Sequence, residues 1–237
     1  LVQSQAYLQE IEEARRSSQK LLAVLIDPDK FEEHTAEAFL RKLPSDVTHL
    51  LVGGSSVANG RTCEVVKWLK HFTALPIILF PGDQNQISAH ADAILFLSLI
   101  SGRNPEYLIE QQVRSVEKIR QTQLEVIPTG YILIDGGHET AVQRVSNTIP
   151  LRQEQVQDIV NTALAGQYSG KKLIYLEAGS GAKFPVSEKI IAEVHTATTI
   201  PVIVGGGIRN TAQLQRAYAA GADMVVIGTA FENGSFR

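Results

Sequence analysis

Cysteine is nearly absent. Cys63 stands alone in 237 residues, which excludes an intrachain disulfide framework and fits a reducing cytosol. It falls in a stretch of helical period and reads as a packing residue. Excess charge of either sign is also missing. Lys and Arg number 22 against 25 Asp and Glu, with no basic run, so the footprint of a nucleic-acid binder is not there. No apolar run approaches the length of a membrane span. The opening "LVQSQAYLQEIEEARRSSQK" lacks the apolar centre of a signal peptide, and a cytoplasmic location is expected. The chain starts without Met and stops soon after an apolar run, so trimmed ends are expected. There is no histidine pair at zinc-ligand spacing, no G-x-S-x-G elbow and no P-loop. No solenoid period, linker or low-complexity segment divides the chain.

What is present is a regular alternation. Eight short apolar runs recur: "LLAVLI" (21–26), "HLLV" (49–52), "PIILF" (76–80), "AILFL" (93–97), "GYILI" (130–134), "KLIYL" (172–176), "PVIV" (201–204) and "MVVI" (224–227). They are continuously hydrophobic, as parallel strands covered on both faces are. Stretches of helical period separate them, at 31–42, 63–73, 106–121, 153–166, 187–196 and 211–220. After the third run the only helix candidate is short, 84–90, and a further helix is expected over 4–20. With 44% hydrophobic residues the chain can bury a large core. The expectation is one domain, 1–237, folded as a (β/α)8 TIM barrel with an extra N-terminal helix. An open doubly wound sheet is the alternative.

In such a barrel the chemistry lies where strands end. Two ends are bare backbone: "GGGIRN" after the seventh strand and "GTAFE" after the eighth. Glycine lets an N–H approach a ligand without a Cβ in the way. Two such turns on adjacent strands, with the helix N-terminus that follows the first, can hold one phosphate between them. Taken singly, each would be an ordinary tight turn. Asp27 ends the first strand and suits Mg2+ bound with waters and phosphate oxygens. The plainer role, a carboxylate at a helix N-terminus, suits Asp29 better. Glu177 ends the sixth strand. It suits either a general base for a hydroxyl near the phosphate or a hydrogen bond to its own glycine loop. His49 is expected at a surface or boundary, as are His34, His71, His90 and His195. His138 is the histidine near a strand end, and Trp68 reads as packing.

The segments "AVLIDPDK", "LVGGSS", "YLEAGSGA", "VGGGIR" and "VIGTAF", in this order, resemble the geranylgeranylglyceryl phosphate synthase family, which includes the bacterial heptaprenylglyceryl phosphate synthases. The likeness runs from about residue 21 to the end. "SGRNPEYLI" and "VIPTGYILIDGG" look like the second, Bacteroidetes-and-archaeal branch. The resemblance implies Mg2+-dependent transfer of a geranylgeranyl or other polyprenyl chain from its diphosphate to the C3 hydroxyl of sn-glycerol 1-phosphate. It implies Mg2+ on Asp27 and Ser55. It places the glycerol phosphate against Tyr175, Leu176, Glu177, Ala178, Gly179, Ser180 and Gly181, against Gly206 and Gly207, and against Gly228 and Thr229. Tyr175 and Glu177 would contact the glycerol hydroxyls. It further implies a homo-oligomer, and its lipid product allows peripheral contact with a membrane. One departure stands out. The other branch carries a lysine two residues before the metal aspartate, where this chain has Leu25. There is also no D-D-x-x-D motif, so weak Mg2+ binding without diphosphate is expected.

In this reading Mg2+ neutralises the departing diphosphate and Glu177 takes the hydroxyl proton. The prenyl tail is expected in an apolar groove along strands 2 to 4. Two rivals use the same barrel. A phosphoribosyl isomerase would pair Asp27 with Asp135, but "LFPGDQ" after strand 3 supplies no second Gly-Gly turn. A non-catalytic phosphometabolite sensor would keep the glycines and have no use for Asp27, Ser55 and Glu177 together.

Overall fold

A computed structural model describes residues 5–236. Eight parallel strands close on themselves in sequence order. They are β1 (Leu21–Ile26), β2 (Val47–Val52), β3 (Ile77–Leu79), β4 (Ala93–Leu99), β5 (Glu125–Leu133), β6 (Leu173–Glu177), β7 (Val202–Gly205) and β8 (Met224–Ile227). Strand β8 pairs with β1, so no sheet edge remains open. The closed barrel excludes the doubly wound alternative.

Side chains alternate between two cores, because successive residues of a strand face opposite sides. Ala23, Leu51, Ile78, Leu95, Ile127, Leu173 and Ile203 fill the barrel interior. Leu22, Leu50, Leu79, Ile94, Ile132, Leu176 and Val204 face outward into the layer shared with the helices. Helix α1 (Ala6–Ser17) plugs the floor with Leu8, Ile11 and Ala14. Its N-terminal end is held by Glu125, whose carboxylate accepts from the Leu8 and Tyr7 N–H groups at 2.7 and 3.0 Å. Its other end is held by Arg15, which meets the buried Asp223 at 2.8 Å and the carbonyls of His195 and Thr198. The helix expected over 4–20 is therefore this plug, and residue 4 lies outside the described residues.

The outer helices are α2 (Glu33–Lys42), α3 (Arg61–Phe72), α4 (Gln111–Arg120), α5 (Ala141–Ser146), α6 (Val156–Tyr168), α7 (Glu188–Ala197), α8 (Thr211–Ala219) and α9 (Thr229–Glu232). The sequence pattern misses α5 and α9, which are too short to show a helical period. The expected helix over 84–90 is one tight turn, Gln84–Gln86, capped by Asp83. The helix expected from residue 106 opens as a π-type turn, Glu106–Glu110, before continuing as α4.

Strand β5 begins five residues earlier than expected, with Pro128 inside it. The Pro128 carbonyl accepts from the Lys172 N–H at 2.7 Å, just before β6 begins. In a parallel ladder a residue's nitrogen and carbonyl face the same neighbour. Pro128 thus turns its bare nitrogen toward β6 where that strand has not yet started, and no ladder bond is lost. His49 also departs from expectation. It lies inside β2 and is fully buried. Burial lowers its pKa to about 4.

Candidate active site

Strand β6 builds the centre of the site. Tyr175 and Glu177 are two residues apart, so both point into the barrel mouth. Leu176 and Ala178 point the other way, into the core between strands and helices. Their side chains therefore do not reach the mouth, and any role there falls to their backbone. Glu177 is 6% exposed and Tyr175 is wholly buried. The Glu177 Oε1 accepts from the Gly179 N–H at 2.6 Å. Burial pushes its carboxyl up to about 7, while the Gly179 N–H and the neighbouring Tyr175 hydroxyl pull it part of the way back. The Tyr175 hydroxyl has no hydrogen-bond partner of good geometry among the described residues. Beside Glu177 yet without a well-aligned bond to it, this hydroxyl can also serve a ligand or a water. A carboxyl titrating near 7 beside it has the protonation behaviour of a general base.

The glycines at the end of β7 and just past it make this placement possible. A Cβ on Gly205 would stand 2.5 Å from the Tyr175 hydroxyl and 2.8 Å from Glu177 Oε2. A Cβ on Gly206, whose φ is +85°, would stand 2.6 Å from both Glu177 Oε1 and the Gly179 nitrogen. Any side chain at either position would displace the carboxylate.

Gly206 and Gly207 line one side of a cavity of about 560 Å3 at the mouth, and Gly228 and Thr229 line it too. The Ser180 and Thr229 hydroxyls meet at 3.1 Å, tying the loop after β6 to the turn after β8. Arg209 donates to the Ala182 carbonyl at 2.5 Å, tying that same loop to the turn after β7. His138 closes the third side, with Nε2 3.2 Å from the Ser180 carbonyl. Gly179, Ser180 and Gly181 are thus held from three directions.

Asp27 and Ser55 line the same cavity. An atom attached at the Gly54 Cα would lie 3.6 Å from Asp27 Oδ1, so the turn carrying Ser55 runs beside that carboxylate. Asp27 also caps the Pro28–Lys30 turn, accepting from the Asp29 N–H at 3.1 Å. Its other oxygen is 2.8 Å from Lys30 Nζ, and Glu232 lies 3.7 Å from the same ammonium. The hydrogen bond to Asp27 raises the Lys30 pKa, with Glu232 adding to it. Among the described residues no three His, Cys, Asp or Glu side chains form a metal cluster. One carboxylate with a hydroxyl and nearby backbone is nonetheless the sparse donor set that Mg2+ accepts when waters and phosphate oxygens complete its shell.

Lys30, Glu232 and Arg209 were not singled out from sequence, although the motifs at the strand ends contain all three. Leu25 lines the cavity where the other branch has its lysine. Lys30 brings a cation to the same mouth from one turn further along. Asp135 accepts from the Gly137 N–H at 2.8 Å and serves its own loop, and it does not line the mouth.

A second cavity adjoins the first. Phe80, Ile94, Phe96, Tyr107, Gln112 and Ser115 line an apolar groove on the outer side of β4, beside the turn after β3. It exists because the connection after β3 is a tight turn rather than a helix, which leaves the outward residues of β4 uncovered on that side. The expected groove along strands 2 to 4 is in fact built on β4 and α4, with β2 and β3 giving only the turns that follow them, Gly54–Ser55 and Phe80–Asp83. Gly54, Ser55, Phe80, Tyr131, Val142 and Val145 border both cavities. No helix among the described residues is long and apolar enough to cross a membrane.

Residues 13–236 match the PcrB family. A geranylgeranylglyceryl phosphate synthase from Zunongwangia profunda is 58% identical over 97% of this chain and 98% of its own length. A namesake from Pyrococcus furiosus is 43% identical over 90% of this chain and 85% of its own. A crystal structure of (S)-3-O-geranylgeranylglyceryl phosphate synthase from Thermoplasma acidophilum, in complex with its substrate sn-glycerol-1-phosphate, superposes with a TM-score of 0.87. It is 34% identical, and the match covers 95% of this chain and 91% of that one.

Proposed function

The chain belongs to the PcrB family, and from that premise we propose that it joins a geranylgeranyl chain to the C3 hydroxyl of sn-glycerol 1-phosphate through an ether bond. The observation that carries this is the junction of the two cavities. A polar, glycine-walled mouth holding Glu177 meets an apolar groove, and Ser55 stands on their shared border. A phosphorylated alcohol suits the first cavity and a long hydrocarbon the second. The diphosphate that links hydrocarbon to reaction centre falls at the border.

Gly206–Gly207 and Gly228–Thr229 hold the glycerol phosphate, and the backbone from residue 178 to 181 lies along it. Pinning the phosphate fixes how far the C3 hydroxyl stands from the donor's C1. Glu177 accepts the proton of that hydroxyl, and Tyr175 offers its hydroxyl to the glycerol. Asp27 and Ser55 would hold Mg2+, which would supply positive charge against the leaving diphosphate. Lys30, paired with Asp27 in the structure, brings a further cation to the same mouth. The resemblance to relatives that carry this name supports the acceptor and donor alike. The chain works as a homo-oligomer in the cytoplasm and touches membranes through its product. An exposed row of Ile109, Val113 and Val116 supports the oligomer.

The test is incubation of the protein with labelled sn-glycerol 1-phosphate, Mg2+ and geranylgeranyl diphosphate. Label passing into an organic phase as an ether-linked phosphate supports the transferase. Binding of glycerol phosphate without transfer supports a sensor, and turnover of only a phosphoribosyl aminoimidazole substrate supports an isomerase.

A further inference from the structure

Below the mouth the barrel interior is mostly aliphatic, His49, Glu125 and Thr129 apart, and at the mouth it is aromatic. Phe80, Tyr131 and Tyr175 stand together there, at the end of β3, on β5 and on β6. Tyr131 and Tyr175 are register partners across the β5–β6 ladder. Their centroids are 5.4 Å apart with planes inclined by 27°. Phe80 lies 5.1 Å from Tyr175 at 23° and 6.0 Å from Tyr131 at 41°. A stacked column would put its outer rings at twice the neighbour spacing. Three near-equal separations instead make a triangular platform of offset rings, a favourable arrangement for aromatic groups. Phe80 and Tyr131 border both the polar mouth and the apolar groove, whereas Tyr175 borders the mouth alone. The platform therefore stands where the end of a hydrocarbon in the groove meets an acceptor in the mouth.

Resting on the transferase reading, we propose that the ring faces of Phe80 and Tyr131, backed by Tyr175, stabilise the allylic cation that forms as the prenyl donor ionises. The donor's C1–O bond breaks and its electron pair leaves with the diphosphate. The allyl group is left electron-poor at C1 and C3. The glycerol C3 oxygen then bonds to C1, and its proton passes to Glu177. Between these events the cation needs a partner that is negative but cannot capture it. A carboxylate or water would form a bond, and an aliphatic wall gives no electrostatic help. An aromatic face attracts a cation through its quadrupole, most strongly where water is excluded. Tyr131 is 5% exposed, so its ring meets that condition.

The experiment replaces Phe80 site-specifically by mono-, di- and trifluorophenylalanine, which keep the ring's shape and progressively weaken its quadrupole. Single-turnover transfer from geranylgeranyl diphosphate to sn-glycerol 1-phosphate is then measured at saturation. The rate should fall stepwise with each fluorine, by roughly tenfold over the series, while the donor's dissociation constant changes less than the rate. Tyr131→Phe, which keeps a ring, should outrun Tyr131→Leu by roughly tenfold. A flat fluorine series, or one in which affinity falls and the rate does not, overturns the inference while leaving the transferase reading intact. A wild-type protein that forms no ether product overturns both.

Discussion

Replacing Glu177 by Gln should make the protein more stable and nearly inactive at once. The carboxyl titrates at about 7 in the fold against an ordinary 4.5, chiefly because it is buried. A native pKa above the unfolded one means that the native state binds the proton more tightly. Below pH 4.5 both states are protonated and the residue costs nothing. As pH rises from 4.5 to 7 the unfolded chain ionises first, and stability falls. Above 7 the loss is constant. About 2.5 pH units correspond to about 3 kcal/mol. Gln stays neutral throughout, keeps an oxygen for the Gly179 N–H, and keeps a polar group beside the Tyr175 hydroxyl. Urea unfolding at pH 4 and pH 8 checks this. The variant should match wild type at pH 4 and exceed it by about 3 kcal/mol at pH 8. Turnover should fall by roughly 10²–10⁴-fold, the usual worth of a general base, with little change in affinity for sn-glycerol 1-phosphate. Wild-type kcat should climb with pH up to about 7, where the base is ionised. Equal stability at both pH values would refute the burial argument. Equal losses of turnover and glycerol phosphate affinity would refute the role as base.

Three further substitutions probe other parts of the site and its frame. Asp27→Asn should raise the Mg2+ needed for half-maximal turnover by roughly tenfold or more, since Mg2+ binds through few carboxylates, and a Mg2+ titration of activity reads it directly. Gly206→Ala meets a φ of +85° and contacts of 2.6 Å with Glu177 and Gly179, so KM for glycerol phosphate should rise and stability should fall by about 1–3 kcal/mol, measured by kinetics and denaturant titration. Arg15→Met leaves the buried Asp223 without its cation; about 3–5 kcal/mol of stability should be lost, seen in urea, while the KM values of the folded fraction stay near wild type.

The strands were legible because parallel strands covered on both faces are continuously apolar, and the glycine turns because two of them end adjacent strands, where either alone would be an ordinary tight turn. The start of β5 was hidden by Pro128, whose tolerance depends on where β6 begins, a fact of tertiary register. Helix α5 is six residues long and shows no period, yet Val142 and Val145 border the junction of the two cavities. Asp27 and Glu177 could be read as strand-end carboxylates. Lys30, Arg209 and Glu232 could not, since each sits past a strand end and reaches the site only through the path of its turn. The burial of His49 was missed because a polar residue at the edge of an apolar run reads as a boundary. It is the α1 plug, far away in sequence terms, that covers it. The aromatic platform needed the barrel to close before Phe80, Tyr131 and Tyr175 became neighbours.

The most direct test is a crystal structure with sn-glycerol 1-phosphate and an unreactive thiodiphosphate analogue of the prenyl donor. The phosphorus atom should lie between Gly206–Gly207 and Gly228–Thr229, with the C3 hydroxyl at hydrogen-bond distance from Glu177 and the donor's tail beside Phe80 in the groove on β4 and α4. A phosphate seated elsewhere, or a C3 hydroxyl turned away from Glu177, would contradict the account.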